Sequence, residues 1–244
     1  MKLFKAVILL IIIALAAVAG YYAFYPDVSR LKKENPKKTS FMEYREAEWR
    51  EQGKKVNIRK KWVPLSGISP FLIKAVLIAE DDKFWSHQGF DFKAIRKAVE
   101  TDIKKKKFKF GGSTISQQLA KNLYLTPSKN PVRKFKEAIL TWRIEQNISK
   151  KRILELYLNV VEWGEGVFGI EAASQHYYKK TALQLSPDEA AHLVVILPNP
   201  RKYRIDGSSK YLEKRTKIIY DIMVKRGIVE PEYDDVIKNS NDEQ

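Results

Sequence analysis

The sequence predicts a mainly helical protein carried on one membrane-spanning helix, and three observations lead there. Ala6 to Tyr25 contains no charged residue and is dominated by Val, Ile, Leu and Ala. Its roughly 20 residues, at about 1.5 Å each, would cross about 30 Å of hydrocarbon. Beyond it, helix-start signals recur along the chain: Ser69-Pro70, Thr114 with Gln117, Asn130-Pro131, Ser149, and Ser186-Pro187-Asp188-Glu189. Apolar residues alternating with polar ones, the mark of a half-buried strand, are hardly found.

Taken in order, residues 1–5 form a short N-terminus on the cytoplasmic side and 6–25 the anchor. Tyr21, Tyr22, Phe24 and Tyr25 supply an aromatic belt where an interface would sit. A cleaved signal peptide is the competing reading, since Lys2 and Lys5 form a basic start and Ala17-Val18-Ala19 an acceptable cleavage site. The apolar character continues past that site, which favours an uncleaved anchor. Arg30, Lys32, Lys33, Lys37 and Lys38 outnumber the charges ahead of the helix, so a literal count of positive charges would keep the C-terminal side in the cytoplasm. Long domains, however, translocate largely regardless of charge.

Residues 26–61 read as a charged connector, with a short helix around Phe41 to Gln52 lying near the membrane surface. A globular domain is expected over 62–227 and a tail over 228–244. Ser69 should cap a helix that starts at Pro70 and runs through an apolar stretch to Glu80. Asp91 should cap the next, with Ile95 and Val99 inward, running into Lys104 to Lys107. Asn130-Pro131 opens a helix whose apolar side is Phe135, Ala138, Ile139 and Trp142. Ser149 caps another through Leu158, Gly164, Gly166 and Gly169 mark a tight bend, and Ile170 to Tyr178 is helical. Ser186 opens a buried helix that stops at Pro198-Asn199-Pro200. A last amphipathic helix runs from about Tyr211 to Arg226 and ends at Gly227.

The 45 Lys and Arg against 29 Asp and Glu leave a net charge of +16, so an anionic partner is expected. Nucleic acid, a membrane surface and a phosphate-bearing substrate all satisfy that charge. The chain has no cysteine, which excludes disulfides and thiolate metal sites.

Chemistry concentrates in a few stretches. Glu80, Asp81 and Asp82 follow the apolar run from Phe71 to Ala79, which only Lys74 interrupts. Carboxylates at the end of a buried helix lose hydration and repel one another, which raises the proton affinity of at least one toward that of a general base. If the helix continued, Glu80, Phe84 and His87 would share a face. The plainer alternative is an acidic triplet ending a core helix in solvent. Gly111-Gly112-Ser113-Thr114 then runs into a capping box completed by Gln117, giving a helix N-terminus beside lysines that suits phosphate oxygens. The spacing is not that of a nucleotide-hydrolysing P-loop. Arg133, Lys134 and Glu137 fall within one turn and, taken alone, read as a surface ion pair. Only three histidines occur, none with metal-ligand spacing, so His87 suits a hydrogen bond within its loop.

In order and spacing these stretches resemble one family. Glu80-Asp81-x-x-Phe84-x-x-His87-x-Gly89, then Gly112-Ser113-Thr114-Ile115-x-Gln117-Gln118-x-x-Lys121-Asn122, then Arg133-Lys134-x-x-Glu137, then Lys150-x-x-Ile153-Leu154-Glu155-x-Tyr157-Leu158-Asn159, and Gly169-Ile170-Glu171-Ala172-Ala173 look like the motifs of the peptidoglycan glycosyltransferases, across Trp62 to Tyr203. The short chain resembles their monofunctional branch. Ser29-Arg30-Leu31-Lys32 has the S-x-x-K spacing of a penicillin-binding site, but no K-T-G follows. Trp85 stands where the family commonly has tyrosine.

The resemblance implies a lysozyme-like helical domain with a smaller, membrane-dipping lobe. That domain would join lipid II into β-1,4-linked glycan and release undecaprenyl pyrophosphate on the extracytoplasmic, periplasmic face of the inner membrane. It implies Glu80 as the base that deprotonates the acceptor 4-hydroxyl and Glu137 as the second carboxylate, assisting pyrophosphate departure. Asp81, Phe84, His87, Ser113, Thr114, Gln118, Lys121, Asn122, Arg133 and Lys134 match substrate-binding positions, and Glu155 and Asn159 a mainly structural motif. No resident cofactor is required, and a divalent cation, Mg or Mn, has a place only at the pyrophosphate. The partners implied are lipid II, the growing glycan, the membrane and proteins of cell-wall synthesis or division, with no nucleic acid.

Two rivals remain. A membrane-anchored muramidase would also use paired carboxylates in a helical cleft, but it has no need of the Lys121, Arg133 and Lys134 cluster. A tethered, non-enzymatic binder of anionic polymer would explain the charge and leave the ordered carboxylates unexplained.

Overall fold

The computed structural model describes residues 2–105, 112–128, 130–203, 205 and 209–230. These form two compact units, one built from the chain up to Ile58 together with Lys83–Val161, the other from Arg59–Asp82 together with the chain from Glu162 onward.

The first unit begins with α1, Lys2–Phe24. Its stretch Phe4–Phe24 is long and apolar enough to cross a membrane. Next come α2 (Ser40–Glu51), α4 (Phe92–Lys105), α5 (Ile115–Tyr124), α6 (Pro131–Asn147) and α7 (Lys150–Val160). α5 is the centre: α2, α6 and α7 all pack on it. Its Ile115, Leu119 and Ala120 meet a core made with Leu140, Ile144, Ile153 and Tyr157, all fully buried. The segment expected as a charged connector carries a 3-10 turn, Val28–Lys32, and α2, and its Val28, Leu31, Met42 and Trp49 are buried. Charges dominate its composition because they occupy the outer face, while a few apolar residues do the packing.

The second unit holds α3 (Pro70–Glu80), α8 (Ile170–Tyr178), α9 (Pro187–Val194) and α10 (Lys210–Lys225). α3 packs on α9 and α10, which buries Leu72, Ala75, Val76 and Leu77. Gly227 follows Arg226, the C-cap of α10, and its φ of +64° suits the residue after a helix end. A small sheet not expected from the sequence joins β1 (Arg59–Lys60), β2 (Glu162–Gly164) and β3 (Val167–Phe168) in the order β1-β3-β2. β3 is parallel to β1 and antiparallel to β2, so the predicted glycine bend is a hairpin with an added edge strand.

Most of the expected helix starts occur where local chemistry puts them. Thr114 and Ser186 form capping boxes with Gln117 and Glu189. Asn130 and Ser149 cap α6 and α7, and Asp91 accepts the Ala94 N–H at 2.9 Å. Two expectations are corrected. The Ser69 hydroxyl does not cap α3 but donates to the Leu185 carbonyl at 2.8 Å, across the second unit. α3 ends at Glu80, as the sequence predicts, with Asp81 turning to φ −162°, so Glu80, Phe84 and His87 share no helical face. α6 buries Leu140, Thr141 and Ile144 with Glu137, while Phe135 and Trp142 are exposed. That helix carries apolar residues on two opposite sides, and the inner side also takes polar groups that find partners there. Val99, Lys104 to Lys107, Phe108 to Gly111 and most of the expected tail fall outside the described side chains.

Candidate active site

Glu80 is the last residue of α3, in the second unit, at the end of the buried apolar run. Asp81, 7% exposed, is the C-cap, its N–H donating to the Leu77 carbonyl at 2.9 Å. Asp82 is half-exposed and accepts from Nη1 and Nη2 of Arg226, at 2.5 and 3.0 Å. The three carboxylates therefore play three roles: one at the helix end, one capping, and one tied to α10.

The basic group lies in the first unit, at the start of α6. Glu137 is 2% exposed. One carboxylate oxygen takes Arg133 Nη1 at 2.5 Å and the other the Lys134 ammonium. Arg133 Nε also donates to the Ser128 carbonyl at 2.5 Å, and Lys134 reaches Ser113 Oγ at 3.3 Å. The cations keep a wet side, with side chains 20% and 49% exposed for Arg133 and Lys134. A buried anion thus holds two cations by one edge, and both cations keep solvent-exposed surface. Proline at the first position and Asn130 as cap start α6 there, so the cluster sits at the positive end of its dipole.

The start of α5 lies beside it. Thr114 Oγ accepts the Gln117 N–H at 3.2 Å and donates to the Gly89 carbonyl at 2.7 Å, tying the loop after Phe84 to the helix. Thr114, Gln118 and Lys121 recur at i, i+4 and i+7 on one face, and Gln118 accepts from the Tyr157 hydroxyl at 3.2 Å. Asn122, four residues after Gln118, is 4% exposed. His87 Nδ1 accepts the Gly89 N–H at 3.1 Å, and its ring stands edge-on to fully buried Phe84. Beside them the Ala94 N–H holds the Asp91 carboxyl below the usual carboxylate range.

The first unit thus brings together Ser113, Thr114, Arg133, Lys134 and Glu137. Phe84 and His87 belong to the loop anchored on Thr114, while Glu80 and Asp81 belong to the second unit. Sequence reasoning missed Glu145. Its carboxylate accepts from Ser116 and from Lys150 at 2.7 Å, and Lys150 in turn lies 4.4 Å over the Phe84 ring. Glu137, Thr141 and Glu145, four apart on α6, were the available signal. Glu171 is structural, accepting the Ala182 N–H at 2.8 Å and Lys61 at 3.1 Å.

Among the described residues no three His, Cys, Asp or Glu side chains gather to hold a metal. Both oxygens of Glu137 are already engaged, so a divalent cation there would take most of its ligands from a bound anion.

Residues 47–224 match the family described as Transglycosylase. The chain is similar to proteins named biosynthetic peptidoglycan transglycosylase. With that of Dechloromonas aromatica it shares 52% identity over 185 residues, 76% of this chain and 80% of the relative. With that of Nitrosospira multiformis identity is 47% over 194 residues, 80% and 84% of the two chains. With that of Aromatoleum aromaticum it is 53% over 169 residues, 69% and 74%.

Proposed function

The chain belongs to the transglycosylase family, and from that premise we propose how its own residues divide the work of polymerising lipid II. The enzyme is a peptidoglycan glycosyltransferase. It lengthens glycan strands by β-1,4 bonds and releases undecaprenyl pyrophosphate.

In the proposed reaction Glu80 accepts the proton of the acceptor 4-hydroxyl as that oxygen attacks the donor's anomeric carbon. The bond from that carbon to the pyrophosphate breaks, and its electron pair leaves on the phosphate oxygen. A pyrophosphate departs without being protonated if its growing charge is met by fixed donors. Arg133 and Lys134 are such donors, already oriented by Glu137, with Lys121 and the Ser113 hydroxyl nearby on the neighbouring element, while Thr114, its own proton given to Gly89, holds that element in place. Glu137 acts through the two cations: it fixes their direction and keeps them from binding the ground-state phosphates too tightly. Asp81 holds the end of α3, and Asp82 ties it to α10.

One observation carries this reading beyond family membership: two cations grip a buried carboxylate at a helix start and keep a wet side. A glycan-cleaving cleft has no leaving phosphate and needs no such group. Incubating the purified full chain with lipid II separates the readings. Polymer is expected. Shortening of preformed glycan without polymer would indicate a lytic enzyme, and neither product a binding protein.

We further infer that α1 is an uncleaved, single-pass anchor in the inner membrane with the catalytic units on the periplasmic side. The outward Phe135 and Trp142 of α6, which packs against α1, supply apolar surface next to that membrane. N-terminal sequencing of the mature chain and reporter fusions test this. A chain beginning near Gly20, or a cytoplasmic C-terminal reporter, would refute it.

A further inference from the structure

A helix leaving a membrane ends in backbone carbonyls that no helical N–H can reach, and their partial negative charge draws a cation. At the end of α1 one side chain takes up this role. Arg143, 9% exposed on α6, donates from Nη1 to the carbonyls of Tyr22 at 3.1 Å and Pro26 at 2.8 Å. Its Nη2 donates to that of Phe24 at 3.1 Å. The Lys136 ammonium lies 5.2 Å over the Tyr22 ring. Farther on, Arg152 of α7 donates to the carbonyls of Leu31 and Glu34, each at 2.9 Å, and to Asn35 Oδ1 at 2.7 Å. The stretch between anchor and α2 is thereby fastened to α6 and α7. A planar guanidinium suits three carbonyls arranged around it, whereas an ammonium is a single point of charge.

α6 also carries the basic group. From Arg143 back to Glu137 is six residues, a rise of about 9 Å along the helix. The element that ends the anchor therefore shares a rigid rod with Arg133, Lys134 and Glu137. A lipid-linked substrate keeps its pyrophosphate at the level of the headgroups, so a site must be held at that height to meet it.

We propose that Arg143 is a positioning residue that sets the height of the Arg133–Lys134–Glu137 group above the membrane by locking the end of α1 to α6. This rests on the functional reading above and adds to it the requirement that the site have a fixed depth. Clamped, the cradle meets every lipid-borne pyrophosphate in one geometry. Released, it samples many, and misplacement of about 1 Å is enough to cost a large factor in rate.

The test uses the full chain and two substrates: long-chain lipid II in vesicles, and a water-soluble short-chain lipid II in detergent. Arg143→Met keeps an apolar stem and removes the donors. It should lower turnover in vesicles by about tenfold or more while leaving turnover on the soluble substrate within about twofold, and Arg143→Lys should fall between. Equal losses on both substrates would make Arg143 a fold residue and overturn the proposal, as would no loss on either. A second readout needs no activity. The chain has no cysteine, so Gln146→Cys, exposed on α6, takes a single spin label whose depth relative to the lipid surface can be measured. The depth should be narrow with Arg143 and broaden or shift with Arg143→Met, and an unchanged depth would overturn the proposal. If the unmodified chain made polymer from neither substrate, the functional reading would fail, and the label's depth would still decide the clamp.

Discussion

Arg133 Nη1 lies 2.5 Å from Glu137 Oε2, one turn along α6, and the carboxylate is 2% exposed while the guanidinium keeps a wet side. In the proposed mechanism the carboxylate orients the guanidinium. Glu137→Gln should leave Arg133 and Lys134 less constrained and more available to ground-state phosphates. Turnover should fall by about 10² while binding of inorganic pyrophosphate holds or tightens. Because both cations reach solvent, the stability cost should be about 1–2 kcal/mol, below that of breaking a fully buried pair. Turnover beside pyrophosphate titration checks this, and weakened binding with normal turnover would contradict it.

A cradle and a diffuse basic surface respond differently to substitution. Arg133→Ala and Lys121→Ala should each cost a few kcal/mol of barrier, seen in turnover at saturating lipid II. Substitutions at Lys104 to Lys107 should act on vesicle binding, each by about 1 kcal/mol and less at high salt. Measuring both quantities for both sets at two salt concentrations decides it. Equal, salt-sensitive losses in both sets would leave only a basic surface.

Gly89 has φ +91°, and an added Cβ would lie 2.9 Å from Thr141 Cγ2 and 3.0 Å from Glu145 Cγ. Its carbonyl also receives the Thr114 hydroxyl. Gly89→Ala should therefore destabilise the first unit by about 2–4 kcal/mol, from backbone strain plus overpacking. Urea unfolding would show it, and an unchanged midpoint would contradict the packing described.

Asp82 and Arg226 are joined by two bonds but are about half exposed, at 50% and 47%. A double-mutant cycle of Asp82→Ala and Arg226→Ala should give a coupling of about 1 kcal/mol or less. Turnover in Asp82→Ala should fall far less than in Glu80→Gln, since the pair only braces the end of α3.

Much of this was legible because helix starts are local. A cap and its partner lie three residues apart, so Thr114 with Gln117 and Ser186 with Glu189 could be read without the fold. The ordered motifs likewise singled out Arg133, Lys134 and Glu137, which cluster at the start of α6, and Glu80, which ends α3. What could not be read depends on distant partners. The sheet pairs Arg59 and Lys60 with Val167 and Phe168, through strands too short to show alternation. α6 hid its inner face because Glu137 and Thr141 are buried with partners, while Phe135 and Trp142 face out. Arg143, Glu145 and Arg226 look like ordinary surface charges until the chain brings Pro26, Lys150 and Asp82 to them.

In the proposed reaction Glu80 takes a proton from the acceptor hydroxyl, and one substitution isolates that step. Glu80→Gln keeps shape and removes the proton acceptor. Time courses of lipid II polymerisation by the full chain with and without it, alongside lipid II binding, are the direct test. The prediction is polymer from the unmodified enzyme, a loss of at least about 10² in rate for Glu80→Gln, and unchanged binding. Near-normal polymerisation by Glu80→Gln would contradict the account.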